Sequence, residues 1–154
     1  MAKKIVILED NAARRAAMQR CLQDRFYQFD AVFFDAAGPM QDYCARHLDE
    51  TILIGLDHDL EMQPGSYGRC LDIGTGREVA EFLATRKPTC PVVIHSSNAP
   101  ATLGMERVLQ EAHWETHVVL PLDDLEWIPT LWFRTVRRAI VGPPAAGRRG
   151  PPSL

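Results

Sequence analysis

Apolar and polar positions follow two rhythms along this chain. Five short apolar runs, KIVIL (4–8), DAVFF (30–34), TILIG (51–55), PVVIH (91–95) and HVVL (117–120), are rich in Val, Ile and Phe and mostly unbroken. That is the pattern of strands covered on both faces. Between them, apolar residues recur at helical spacing. Met18, Cys21, Leu22 and Phe26 form one stripe, Met40, Tyr43, Cys44 and Leu48 a second, and Val79, Phe82 and Leu83 a third. Met105, Val108, Leu109 and Ala112 form a fourth. The spacing predicts helices over 12–26, 39–48, 77–86, 101–112 and 124–140. The last has the clearest period, through Leu125, Ile128, Leu131, Trp132, Thr135, Val136 and Ile140. All five stripes read as core.

Strand and helix alternate five times. With right-handed crossovers, that predicts an α/β fold: a five-stranded parallel sheet with helices on both faces. The flavodoxin-like order 2-1-3-4-5 is the leading arrangement. A length of 154 residues suits one domain with a single core, expected to span 1–141. The tail GPPAAGRRGPPSL (142–154) cannot continue a helix and is expected to be flexible.

Composition narrows the function classes. A net charge of −3 gives no general reason to expect DNA or an anionic membrane as partner. No apolar run approaches the ~20 residues that span a bilayer. The start, MAKKIVILEDN, reads as a first strand and not a signal peptide. Cys21, Cys44, Cys70 and Cys90 are scattered without metal-ligand spacing, which fits a reduced, cytoplasmic setting.

The chemistry-bearing residues collect where strands end. In an open parallel sheet, ligands sit beyond the carboxyl ends of the strands, near the point where strand order reverses. Those ends carry Glu9, Asp10 and Asn11, then Asp35, then Asp57, His58 and Asp59 in LDHDL, and then His95, Ser96, Ser97 and Asn98. Asp123 and Asp124 follow the fifth strand. Strands 1 and 3 are neighbours in the proposed order, so Glu9, Asp10, Asp57 and Asp59 converge. Such a group stays ionised only with a compensating cation, and oxygen ligands on short side chains suit Mg²⁺ or Mn²⁺. Helix capping competes as an explanation for Asp10. His58 and His95 adjoin the acids and are the candidate proton donors or acceptors, with the simple end of a buried strand as the alternative for His95. His47, His113 and His117 are isolated. The connection over residues 60–76 is long and carries four glycines, at 65, 68, 74 and 76. Thr75 and Gly76 could offer backbone N–H groups to a phosphate, although helix entry explains them nearly as well.

The pattern resembles the receiver domains of two-component response regulators over about residues 3–141. Glu9 and Asp10 match the acidic pair, Asp57 the phospho-accepting Asp, and Ser96 the Ser/Thr after strand 4. The Lys that precedes Pro after strand 5 is replaced by Leu120, and Val118 stands where an aromatic is often found. A closer resemblance is to the cyclic-phosphate processing receiver domains, carried by Leu56–Leu60, Thr75–Gly76, His95–Asn98 and Met105. That resemblance implies metal-dependent work on a phosphate compound. Asp57, His58 and His95 would be catalytic, and Glu9, Asp10, Asp57 and Asp59 would hold Mg²⁺ or Mn²⁺. Ser96, Ser97, Asn98, Thr75 and Gly76 would bind phosphate. Three readings compete: a metal-dependent phosphoesterase for a cyclic phosphate or nucleotide-like substrate, a receiver phosphorylated on Asp57, and a degenerate receiver that binds a partner protein. The partner is accordingly a phosphate-containing small molecule or a protein, with neither DNA nor membrane expected.

Overall fold

The computed structural model describes residues 2–60 and 73–142. The strands are β1 (Lys4–Leu8), β2 (Asp30–Phe34), β3 (Thr51–Leu56), β4 (Val92–His95) and β5 (Thr116–Val119). They form one parallel sheet in the order β2-β1-β3-β4-β5. The helices are α1 (Ala12–Arg25), α2 (Ala37–His47), α3 (Gly76–Ala84), α4 (Ala99–Glu111) and α5 (Phe133–Val141). The predicted fold class and strand order are the observed ones. Helix starts follow local chemistry: the Asn11, Thr75 and Asn98 side chains accept from the N–H groups of Arg14, Glu78 and Ala101, capping α1, α3 and α4.

Alternation along the strands sorts the core into two layers. Val6, Leu8, Ile54, Leu56, Val92 and Ile94 pack with α2, α3 and α4 residues. Ile5, Ile7, Leu53 and Val93 pack with Met18 and Leu22 of α1, with Val136 of α5, and with Trp127 and Trp132.

The C-terminal helix departs from expectation. Residues Ile128–Trp132 form a widened turn before α5, in which the Trp132 N–H reaches the Trp127 carbonyl at 2.8 Å. Pro129 has no N–H to donate to the preceding turn, so a regular helix from 124 is not available. The extra residue in the turn rotates the apolar stripe. Leu125 and Leu131, expected in the core, are each 41% exposed, while Trp127 is buried. β5 begins and ends one residue earlier than predicted, which leaves Leu120 beyond it. The expectation of a flexible tail falls almost entirely on residues 143–154, outside the described residues. Among the described residues, no helix is long and apolar enough to cross a membrane.

Candidate metal and phosphate site

The site grows from the side-chain alternation that builds the α1/α5 layer. On β1 the column Ile5, Ile7 continues into Glu9. On β3 the column Leu53, Gly55 continues into Asp57, and on β4 Val93 is followed by His95. Ile7 pairs with Gly55, and Gly55 with Val93, so the next residues of the three columns stand abreast at the carboxyl edge of the sheet. β3 lies between the other two strands, and the longer Glu and His side chains meet across it: His95 Nε2 lies 2.8 Å from Glu9 Oε2. Both side chains are fully buried. Glu9, Asp57 and His95 each offer a ligand atom within 4.8 Å of the others. Asp10 is 8% exposed and lies near enough for its charge to act on Asp57.

The electrostatics of the cluster are uneven. Burial alone would raise the Glu9 carboxyl, but the hydrogen bond and charge of His95, the Asn11 N–H and the Arg14 charge hold it below the usual range. Asp57 is pushed up to about 6, first by burial and then by the Glu9 and Asp10 charges, with His95 and the His58 N–H opposing. Its Oδ1 accepts that N–H at 2.7 Å. A carboxylate so disfavoured is one that a cation would relieve. The donors fit the group: mostly hard carboxylate oxygens, with an imidazole nearby that suits Mn²⁺ better than Mg²⁺.

The other expected site residues fall into a second set. His58 Nδ1 lies 2.9 Å from Asp59 Oδ1, and the Asn98 amide donates to Asp59 Oδ2 at 3.4 Å. Asp59 is therefore engaged away from the Glu9, Asp57 and His95 trio. Asn98 also caps α4, and its N–H donates to Ser96 Oγ at 3.1 Å. Ser96 is buried and Ser97 exposed. The Gly76 N–H is taken by the His58 carbonyl at 3.1 Å. Glycine is required at 76 by close approach, because a Cβ there would stand 1.8 Å from the Asp57 carbonyl oxygen. Thr75 and Gly76 thus dock α3 onto the Asp57–His58 backbone. Leu120 is 60% exposed.

Sequence reasoning missed Trp127. Its ring centroid lies 6.1 Å from that of His95, and the Arg14 guanidinium sits over it at 5.4 Å.

A sequence profile of the cyclic-phosphate processing receiver domain matches residues 26–111, more than half of the chain. The chain belongs to this family. The matched stretch contains Asp57 to Asp59, Thr75, Gly76 and His95 to Asn98; Glu9, Asp10 and Leu120 lie outside it. No curated protein sequence matches. Among solved structures, the phosphorylated cyanobacterial phytochrome response regulator RcpA is 18% identical, with a TM-score of 0.68 over 92% of this chain and 96% of its own. The Mn²⁺-bound form of response regulator Rcp1 is 16% identical, with a TM-score of 0.62 over 88% and 92%. The response regulator domain of Thermotoga maritima CheB is 16% identical, with a TM-score of 0.61 over 94% and 100%. These likenesses establish the receiver fold of this cyclic-phosphate processing receiver domain.

Proposed function

We propose that the chain binds Mg²⁺ or Mn²⁺ at the acidic ends of β1 and β3 and acts on, or binds, a cyclic-phosphate or nucleotide-like compound there. The carrying observation is the meeting of three buried ionisable side chains, Glu9, Asp57 and His95, from three strands within 4.8 Å. Burying charge is costly unless it is compensated, and packing does not ask for it here. Asp10 and Asp57 would hold the ion, with Glu9 fixed between His95 and the Asn11 N–H as their support. The bound ion would supply positive charge to the phosphate oxygens. Rcp1, which shares the fold, was solved in a Mn²⁺-bound form, and that supports the choice of ion.

The chain's own part is to hold and move protons. The His58 side chain is 18% exposed and its Nδ1 is turned to Asp59, which leaves Nε2 for exchange with a leaving oxygen. His95 is buried too deeply for that and serves to orient Glu9. Calorimetry with millimolar Mg²⁺ or Mn²⁺ tests the ion site: the wild type should melt higher with the ion, and Asp57→Asn should lose most of that shift. No metal-dependent shift in the wild type would refute the site. Turnover of 2′,3′-cyclic AMP or bis(p-nitrophenyl) phosphate, compared between wild type and His58→Ala, tests the chemistry.

A further inference from the structure

The described residues hold an arginine whose surroundings are those of a ligand-binding group. We propose that Arg14, laid over the Trp127 ring beside the Glu9–His95 pair, binds the phosphate of the substrate at this site. The inference rests on the proposed function and names the residue that gives the acidic site its affinity for an anion.

The need follows from charge. Glu9 and Asp57 are buried at one end of the sheet, and a divalent ion there would be largely neutralised by its own carboxylate ligands. A phosphate approaching that ion brings further negative charge, which a fixed cation facing it would offset. Leu120, beyond β5, provides none. Arg77 is tied to Glu81 at 3.0 Å, and Lys4 to Asp30 at 2.8 Å at the opposite end of the sheet. Arg14 differs from both. Among the described residues its guanidinium forms no salt bridge, and it lies over the Trp127 ring at 5.4 Å. Its charge is nonetheless felt at Glu9, where it helps hold the carboxyl down.

The position is fixed from two sides. Asn11 caps α1 through the Arg14 N–H at 3.0 Å, which places Arg14 in the first helical turn, at the carboxyl edge that also carries Asp57. Trp127 is 1% exposed and its ring neighbours His95, so the surface under the arginine is rigid. A guanidinium over an aromatic ring uses its face for that contact and leaves its in-plane N–H donors free. Two parallel donors match two phosphate oxygens.

The test uses inorganic phosphate as probe and Mn²⁺ as the ion. Mn²⁺ affinity is read from the free-ion signal in electron paramagnetic resonance, and phosphate affinity by calorimetry at saturating Mn²⁺. Arg14→Met keeps an apolar stem on Trp127, Arg14→Lys keeps the charge without the planar donors, and Arg15→Met controls for general loss of positive charge. Arg14→Met should bind phosphate at least ~10-fold more weakly, the loss of a charge-assisted hydrogen bond. Its Mn²⁺ affinity should not fall, which also shows that the site is folded. Arg14→Lys should recover part of the phosphate binding, and Arg15→Met should match the wild type. Phosphate affinity in Arg14→Met equal to the wild type, or an equal loss in Arg15→Met, overturns the role of Arg14 alone. A wild type that binds Mn²⁺ but no phosphate overturns both this inference and the phosphate part of the proposed function.

Discussion

Replacing Asp57 with asparagine should stabilise the metal-free protein. The displacement of the Asp57 carboxyl from 3.8 to about 6 corresponds to about 3 kcal/mol of penalty on its ionised form. Asparagine removes the charge, keeps an oxygen for the His58 N–H, and ends the repulsion by Glu9. Burying the new amide offsets part of the gain, so the net expectation is about 1–3 kcal/mol, or several degrees in Tm for a chain of this size. The pH dependence gives the sharper check. A carboxyl whose pKa is higher in the folded chain takes up a proton on folding. Its stabilising contribution is full below about 3.8 and is lost as pH rises through about 6. The wild type is therefore at its greatest disadvantage near pH 8, and the gap to Asp57→Asn should close as pH falls through 6. The shift at Glu9 is common to both proteins and largely cancels in the difference. Urea denaturation in EDTA at pH 8, 6 and 4 measures the gap. An asparagine variant no more stable than the wild type at pH 8, or a gap unchanged by pH, would refute the reasoning.

Gly76→Ala forces a Cβ against the Asp57 carbonyl oxygen and should cost about 3 kcal/mol or more, read by urea denaturation, with cation binding weakened as Asp57 is displaced. His95→Leu leaves the buried Glu9 carboxylate without its partner and should cost about 3–5 kcal/mol; the double variant Glu9→Leu/His95→Leu should cost less than His95→Leu alone. Acetyl phosphate with Mg²⁺ should leave little lasting phosphoryl adduct on Asp57 by intact-mass spectrometry, because Leu120 offers the new phosphate neither charge nor hydrogen bond. Leu120→Lys should retain more adduct, and a stable adduct on the wild type that Asp57→Asn abolishes would favour the signalling reading.

The strands were legible because their apolar runs are unbroken and bounded by polar or charged residues: KIVIL and DAVFF are β1 and β2 to the residue. The strand-end acids were legible as a group, because topology alone brings the ends of β1 and β3 together. Their division was not. The Glu9–His95 bond joins residues 86 apart and depends on two long side chains reaching over β3, whose central residue on that face is Gly55. Asp59 is two residues past Asp57, so strand alternation would put both on one face. The chain has left the strand by then, and Asp59 turns to His58 and Asn98. Trp127 is not legible from a regular helical period, because Pro129 and the widened turn shift the apolar stripe by one residue.

These same details bear on whether the end of β4 can act as a moving part. A switch needs two states separated by a few kcal/mol, and a moving element must give up its bonds in one of them. Here successive residues are pinned. His95 is bonded to Glu9 at 2.8 Å in full burial, and Ser96 Oγ holds the Asn98 N–H at 3.1 Å. The Ser96 carbonyl accepts from the Thr102 hydroxyl at 3.5 Å, and Asn98 reaches across to Asp59. Moving Ser96 toward Asp57 would strain a buried ionisable pair whose rupture costs several kcal/mol, and Leu120 supplies no charge to offset it. A fixed β4 end instead suits a site whose task is to hold charged oxygens in one arrangement, where rigidity lowers the ordering cost of binding.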